Sequence, residues 1–204
     1  MTNHTISLIE KRVSANLFDP SHILTDDEIS ELTRLATRAP TAYNLQNWRF
    51  IAVRTAQAKA RLRALAWGQP KVEDAAVTFI VCGVLPEPER LAERLELSVA
   101  AGFMPAAMPT TWQAAASTQY ADPQMARDEA IRSATLGAAT LIHAAGAFEL
   151  ASGPMVGFDA EAVTREFKLG RNEVPVLLVA IGRAASGNWP QKPRRPLSEV
   201  LELS

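Results

Sequence analysis

The sequence predicts a three-layer sandwich in which helices cover both faces of a small sheet, within a single domain over residues 1–204. The chain has 204 residues, of which 48% are hydrophobic and 21% are charged, and this is enough apolar material for one core. Two continuous apolar runs, 76–84 and 174–182, are typical of strands that are buried on both faces. Segments with helical periodicity alternate with these runs, which indicates an α/β or α+β sandwich.

The first half of the chain carries clear start and stop signals for helices. Thr25 and Glu28 form a capping-box pattern, in which the hydroxyl and the carboxylate satisfy free N–H groups at a helix start. Pro40 stops that helix because proline lacks an N–H and disfavours helical backbone before it. Gly68 ends the next helix. We expect helices at 5–18, 26–39 and 56–67, and strands at 49–53 and 76–84.

The second half predicts one less regular segment among helices. Residues 103–120 are interrupted by prolines and show little periodicity, so we expect an irregular stretch near a site or on the surface. The uncharged run 133–148 is Ala-rich and shorter than a membrane span needs, which predicts a helix buried in protein. Asp159 can cap a short helix. We expect helices at 87–101, 122–150 and 160–167, a strand at 174–182, and a basic, Pro-rich tail from Pro190.

Composition excludes several classes of function. A formal charge of −1 gives no general attraction to nucleic acid or anionic membrane. The three histidines are far apart and lack the spacing of a metal site, and neither a dinucleotide-binding nor a P-loop glycine pattern occurs. The only cysteine, Cys82, is either a buried hydrophobe or a reactive thiol. No signal-peptide pattern is visible, so the expected location is cytoplasmic.

Three polar clusters remain, at 11–16, 40–48 and 192–196. The guanidinium groups of arginine and the ammonium groups of lysine are well suited to bind a phosphate monoester. Asparagine and glutamine amides carry a donor and an acceptor together, which suits the edge of a pyrimidine-like ring. A ligand with both parts and no pyrophosphate could be flavin mononucleotide (FMN). Taken alone, each cluster is also typical of a solvated basic face or a turn.

In this order, and over nearly the whole chain, the clusters resemble the signature of the nitroreductase family. That family opens with a basic residue, a serine two positions later, a second basic residue and then phenylalanine. Its other signatures are A-P-S-x-x-N-x-Q-P-W-x-F, P-x-x-G-F-D and a closing K-x-R. The corresponding residues here are Arg12, Ser14, Asn16 and Phe18, then the segments 39–50 and 154–159, and last Lys192 and Arg194.

The resemblance implies an α+β fold, an α/β/α sandwich whose mostly antiparallel central sheet is flanked by helices, in a homodimer with flavin at the subunit interface. It implies an oxidoreductase that uses FMN to transfer hydride from NADPH or NADH to a small oxidised acceptor by a ping-pong mechanism. The acceptor would be a nitroaromatic, a quinone, or an enone or aldehyde-like compound. No catalytic side chain and no metal are expected, because the flavin carries the hydride chemistry.

The resemblance also implies which residues bind FMN. The arginines and lysine at the two chain ends would hold the phosphate, the loop at residues 40–44 would cover the flavin of the other subunit, and the segment 154–157 would bring its backbone close to the ring. Gln69 would contact the pyrimidine edge. The full implied set is Arg12, Val13, Ser14, Asn16, Pro40, Thr41, Ala42, Asn44, Gln69, Pro154, Met155, Val156, Gly157, Lys192 and Arg194.

Two departures from the family pattern carry expectations of their own. Asn16 replaces a lysine or arginine, which predicts a weaker positive charge at the N1/O2 edge of the flavin. Asn47 replaces a common proline, which predicts a looser turn. Gln46 and Trp48 are expected to brace the loop, and Trp112 to face a ligand, the core or the surface.

Other interpretations stay open. The chain could store or sense FMN with little reductase activity, or could bind phosphate as an interaction protein without flavin. The long uncharged helix could form the dimer interface through small residues, or could pack inside its own subunit. Those small residues are Gly137, Ala138, Ala139, Ala144, Ala145 and Gly146.

Overall fold

A computed structural model describes residues 3–204 and has a four-stranded sheet at its centre. The strands are β1 (Trp48–Val53), β2 (Val77–Val84), β3 (Ala151–Met155) and β4 (Glu173–Gly182). Their order across the sheet is β1-β2-β4-β3, and all three neighbouring pairs are antiparallel. The expected antiparallel sheet is therefore confirmed. The two continuous apolar runs form the two central strands, which are covered on both faces.

Within residues 3–204, eight α-helices flank this sheet. The longest, with 25 residues, crosses the sheet on one face, and no helix in the described part of the chain is both long and apolar enough to span a membrane. The helices are α1 (His4–Lys11), α2 (Asp26–Ala36), α3 (Ala56–Leu65), α4 (Lys71–Asp74), α5 (Leu91–Ala100), α6 (Met108–Gln119), α7 (Pro123–Ala147) and α8 (Ala160–Glu166).

Strand β2 shows how the two faces of the sheet form separate cores. Phe79 and Val81 pack with α2 and α7 on one face, whereas Ile80 and Cys82 pack with α3, α4 and α8 on the other. This division follows from the alternation of side chains along a strand. A Cβ on Gly83 would lie 2.2 Å from the backbone oxygen of Ala130 on α7, so glycine allows the helix to approach the sheet closely.

Several predicted boundaries are confirmed by local hydrogen bonds. The capping box at the start of α2 is present, since the Thr25 hydroxyl accepts from Glu28 N while the Glu28 carboxylate accepts from Thr25 N. Asp159 caps α8 through Ala162 N at 2.9 Å. Asp122 caps α7, and Pro123 follows it in the first turn, where its missing N–H costs nothing.

Three expectations about local structure were wrong. The helix expected at 5–18 ends at Lys11, because Ser14 and Phe18 form β-bridges to Ser152 and Ala184. The segment expected to be irregular contains the regular helix α6, since Pro109 lies in the first turn and does not interrupt it. Strand β3 was not expected at all. It tolerates Pro154 because it is an edge strand.

Most of the small residues of α7 pack within their own subunit, and the dimer interface along this helix stays a prediction. Ala138, Ala144 and Ala145 belong to the core against the sheet. A Cβ on Gly137 would lie 3.0 Å from the ring of Phe50, and one on Gly146 would lie 3.3 Å from Leu8. The residues of this stretch that stay exposed are Leu136, Ala139, Ala147 and Phe148.

Helices α5 and α6 build a third apolar cluster beside the sheet. Leu91, Leu95 and Ala116 are buried in it together with Leu45, which lies just before β1. Trp112 packs at the edge of this cluster. The unit α5–α6 therefore supports the segment before β1.

Candidate cofactor site

The segment after α1 lies against the edge strand β3. Ala15 N donates to Ser152 O at 2.9 Å, and Ser14 and Ser152 form a parallel bridge. A Cβ on Gly153 would lie only 2.4 Å from Ala15 O, so this approach requires glycine. The contact places Ser14 beside the first residues of β3.

The C-terminal tail is tied to the same segment by two amide side chains. Asn188 Oδ1 accepts from Asn16 N at 2.7 Å and from Leu17 N at 3.0 Å, and Asn188 Nδ2 donates to Leu17 O at 2.8 Å. Gln191 Nε2 donates to Arg12 O at 2.8 Å. Residues from the two ends of the chain are thereby brought together, although neither amide was singled out from the sequence.

Three cations at this junction have no carboxylate partner. Among residues 3–204, no Asp or Glu oxygen lies within 4.0 Å of the charged groups of Arg12, Lys192 or Arg194. Arg12 instead donates to Ser14 Oγ at 3.4 Å, and Arg194 donates to Gln191 Oε1 at 3.0 Å. Unpaired guanidinium and ammonium groups that converge in this way suit a phosphate. Arg195 differs, since it is paired with Glu199.

Lys71 adds a fourth cation that the sequence analysis missed. Its Nζ donates to Asn16 Oδ1 at 3.2 Å. Burial lowers the pKa of Lys71, and the charge of Lys192 lowers it further. The Lys71 ammonium therefore lies beside Asn16 although residue 16 itself is neutral, and the expectation of a weaker positive charge at the N1/O2 edge of the flavin stays a prediction. We call Arg12, Lys71, Lys192 and Arg194 the cation cluster.

Gln69 lies beside the segment that follows β3. Its Nε2 donates to Gly157 O at 2.7 Å and to Ala66 O at 3.1 Å. Both amide hydrogens are therefore used, which leaves Oε1 as an acceptor. A Cβ on Gly157 would lie 3.0 Å from the Trp67 ring and 3.3 Å from Gln69 Nε2. Glycine therefore leaves room for Trp67 and Gln69 to pack against this segment.

The residues at the end of β3 differ sharply in exposure. Met155 is 7% exposed and belongs to the core, whereas Val156 is 77% exposed. Pro154 and Gly157 are half-buried. The outward-facing Val156, directly after β3, presents an apolar surface to solvent.

The Pro40–Asn47 loop, between α2 and β1, has an unusual backbone. Tyr43, Asn44 and Gln46 have φ angles of 51°, 54° and 48°, in the left-handed region that non-glycine residues seldom adopt. Thr41 Oγ1 accepts from Gln46 N at 3.0 Å across the loop. Asn44 is exposed.

Asn47 tightens the end of this loop, contrary to the expectation of a looser turn. It is 4% exposed, and its Nδ2 donates to Val84 O at 2.9 Å. Its backbone O accepts from Val84 N at 2.9 Å. The asparagine therefore extends the pairing of β1 with β2 by side-chain and backbone bonds together, and a proline would supply only the backbone one.

The loop and the cation cluster lie at opposite edges of the sheet. The loop leads into β1, whereas the segment with Arg12 lies along β3, and two strands separate these edges. With strands about 4.8 Å apart, the two edges are on the order of 14 Å from one another. Of the implied FMN-binding residues, one group is brought together within a protomer: Arg12, Val13, Ser14, Asn16, Gln69, Pro154, Met155, Val156, Gly157, Lys192 and Arg194. The other group, Pro40, Thr41, Ala42 and Asn44, lies elsewhere.

The lone thiol takes no part in this site. Cys82 is buried in β2, and burial raises its pKa to about 12, which fits the interpretation as a small buried hydrophobe. Within residues 3–204, no three His, Cys, Asp or Glu side chains are grouped so that they could hold a metal ion.

Fold and site together define a class of protein, an α+β sandwich with cations that lack a carboxylate partner near an edge strand. The Nitroreductase family model matches residues 9–183. The chain is similar to YodC of Bacillus subtilis (strain 168), provisionally named an NAD(P)H nitroreductase, with 31% identity over 200 residues that cover 98% of each chain. The chain therefore belongs to the nitroreductase family. This confirms the predicted class of NAD(P)H-dependent oxidoreductase.

Solved structures agree at the level of the fold. A provisionally named nitroreductase from Bacillus subtilis, ydfN, has a TM-score of 0.90 and 29% identity, and the match covers 98% of each chain. Another, from Exiguobacterium sibiricum in complex with FMN, has a TM-score of 0.90 and 23% identity, and covers 100% of this chain and 99% of that one.

Proposed function

We propose that this chain binds FMN as a homodimer and transfers hydride from NADPH or NADH to a small oxidised acceptor. The observation that carries the proposal is the convergence of unpaired cations, an amide acceptor and an exposed apolar residue at one edge of the sheet. These are the groups that a phosphate, a pyrimidine edge and an aromatic ring require. The structural neighbour solved in complex with FMN shares this fold.

The phosphate would be held by Arg12, Ser14, Lys192 and Arg194. The donors fit this ligand because they carry positive charge or a hydroxyl, and no neighbouring carboxylate within the described chain already neutralises the three cations. Charge-assisted bonds to phosphate are stronger than neutral ones. Gln191 and Asn188 hold the tail that supplies two of these cations.

The ring would lie against the segment after β3, with Gln69 at its edge. Gln69 Oε1 is the acceptor left over on this amide, so it can receive an N–H from the pyrimidine edge. Val156 would lie against the ring and exclude water from it. Pro154 and Gly157 keep the backbone close to the ligand.

FMN held by Arg12, Ser14, Lys192 and Arg194 would supply the hydride chemistry between the reduced nicotinamide and the acceptor. The residues of the chain need only bind, orient and shield, so no nucleophile or general base is required, and water can supply the proton. Donor and acceptor would use one open face in turn, which is a ping-pong sequence. A nitroaromatic, a quinone, or an enone or aldehyde-like compound would suit such a face.

A second protomer would complete the site. The Pro40–Asn47 loop cannot reach the cation cluster of its own chain along the sheet, so we propose that Pro40, Thr41, Ala42 and Asn44 cover the partner's flavin. Leu136 on α7 and Phe148 directly after it are exposed and would contribute to the dimer contact. No nucleic acid or membrane partner is proposed, and the proposed location is cytoplasmic.

The first experiment is a visible absorption spectrum of the purified protein, followed by heat release and identification of any chromophore. A flavin spectrum with one FMN per chain is expected. A colourless protein that also takes up no added FMN would remove the cofactor from the proposal and leave a phosphate-binding protein.

Anaerobic mixing with NADPH or NADH separates an enzyme from a flavin store. Rapid bleaching of the flavin band, followed by reoxidation with a quinone or nitroaromatic, is expected. A protein that holds FMN but is not reduced by either nicotinamide would be a binding or sensing module. Sedimentation of the FMN-loaded protein as a monomer would contradict the shared site.

A further inference from the structure

The Pro40–Asn47 loop has a strained backbone that something must hold in place. Three of its residues, Tyr43, Asn44 and Gln46, are left-handed within four positions. Such residues cost free energy and persist only where their surroundings enforce them. The loop therefore depends on contacts outside itself.

Those contacts come chiefly from α6 through the side chain of Tyr43. Its ring meets Trp112 edge-on at 5.8 Å between centroids and Tyr120 at 6.2 Å, which are favourable aromatic geometries. Its hydroxyl donates to Gln119 Oε1 at 2.8 Å, a bond between residues 76 positions apart. Leu45, two positions after Tyr43, is buried in the same cluster. No other side-chain hydrogen bond links this loop to α6 within residues 3–204.

We infer that Tyr43 is a positioning residue, which ties the Pro40–Asn47 loop to α6 and so fixes the loop over the partner's flavin. The inference rests on the proposed function, because that function assigns the loop to the cofactor. It gives the irregular-looking segment before α7 a definite role, since α6 supplies both the aromatic contact and the hydrogen-bond acceptor. A change in the position of α6 would then be passed to the loop.

The chain offers a matched control for the hydroxyl of Tyr43. Tyr120 belongs to the same aromatic group and is 8% exposed, but its hydroxyl has no hydrogen-bond partner among the described residues. Burial first, and then the charge of Glu129, raise the pKa of Tyr120, so this hydroxyl is neutral and buried. Removing it breaks no bond that holds the loop.

The test compares Tyr43→Phe with Tyr120→Phe in the full-length protein. FMN affinity is measured by quenching of flavin fluorescence as apoprotein is added, and thermal unfolding of each apoprotein is measured in parallel. Tyr43→Phe is expected to weaken FMN binding about fivefold, the scale of one neutral hydrogen bond. Tyr120→Phe is expected to change it less than about twofold. The melting temperatures of the two apoproteins should stay close.

A second variant removes the bond from the other side. Gln119→Leu lacks the acceptor and should reproduce the loss of Tyr43→Phe, and the double variant should be no worse than either single one. Quenching of the bound flavin by iodide should increase in Tyr43→Phe and in Gln119→Leu, because a loop that is no longer held exposes the ring to solvent.

The outcomes are distinct. Equal affinities for the two phenylalanine variants, or additive losses in the double variant, would overturn the role of Tyr43 and leave the proposed function intact. A wild-type protein that takes up no FMN would overturn the proposed function and this inference with it.

Discussion

The cation cluster and the Pro40–Asn47 loop would contact one cofactor in two different ways. The cluster consists of charged side chains on backbone of ordinary geometry, and two of the four, Lys192 and Arg194, are exposed. The loop carries no charged side chain, and aromatic packing of Tyr43 and a part-buried hydrogen bond of Asn47 hold its strained backbone in place. The difference indicates that one region acts through charge and the other through shape.

This difference has measurable consequences. Charge interactions at a surface are screened by salt over a Debye length of about 8 Å at physiological ionic strength. Backbone geometry and packing are not screened. Substitutions in the cluster should therefore have salt-dependent effects on FMN affinity, and substitutions in the loop should not.

Gly153→Ala should reduce both stability and FMN binding more than any other substitution, because it pushes the segment that carries Arg12 away from β3. The new Cβ would lie 2.4 Å from Ala15 O, a backbone atom that cannot move aside alone. We expect a loss of about 3 kcal/mol in the free energy of unfolding and loss of stoichiometric FMN. Denaturant unfolding of the apoprotein and flavin titration check the two effects.

Gly146→Ala is the control for that substitution. Its Cβ would meet only the end of the flexible Leu8 side chain, at 3.3 Å, within a helix that favours alanine. Its stability should stay within about 1 kcal/mol of the wild type. If Gly153→Ala were equally mild, the segment after α1 would not be held against β3 as described.

Arg12→Gln should weaken FMN binding next most strongly, by about 10- to 100-fold, the range of a charge-assisted hydrogen bond. Arg12 has no carboxylate partner to release within the described chain, so the loss reports its contact with phosphate. The affinity difference from wild type should shrink as salt is added. Arg127→Gln, which removes an exposed cation on α7, should leave the affinity unchanged. A loss that is equal in low and high salt would place Arg12 away from the phosphate.

Asn44→Val should reduce FMN affinity about tenfold, because a β-branched residue strains at a φ of 54°. This loss should be the same at low and high salt. Asn44→Gly keeps the backbone geometry without strain, so any loss in that variant measures the contact of the amide itself. Equal FMN affinities for Asn44→Val and Asn44→Gly would contradict the interpretation that the loop acts through its backbone shape.

The cluster was largely predictable from the sequence because its chemistry is carried by residue type. Arginine, lysine and serine at the two chain ends suit a phosphate wherever the backbone brings them together. Lys71 and Asn188 were missed because a single lysine or asparagine is usually a solvated surface residue. Their roles depend on contacts with residues 16 and 17 that only the fold creates.

The loop was recognised by its motif, but its geometry could not be predicted. Nothing in the sequence places a tyrosine in the left-handed region, because tertiary contacts enforce it there. The end of α1 was misplaced for the same reason, since the bridge at Ser14 overrides a local helical preference. Pro109 was interpreted as a helix breaker, although it stands in the first turn, where proline is tolerated.

Asn16→Arg should have the smallest effect of these substitutions, a change in the reduction potential of the flavin whose direction can be predicted. A cation at position 16 would stabilise the anionic reduced flavin, so the reduction potential should rise. The rise should be modest, about 10–30 mV, because the Lys71 ammonium already lies 3.2 Å from Asn16 Oδ1. Lys71→Gln should lower the potential, and the neutral Asn16→Gln should hardly change it. Anaerobic equilibration with a reference dye measures all three. A potential that is unchanged or lower in Asn16→Arg would mean that residue 16 does not face the N1/O2 edge, or that solvent screens the charge there.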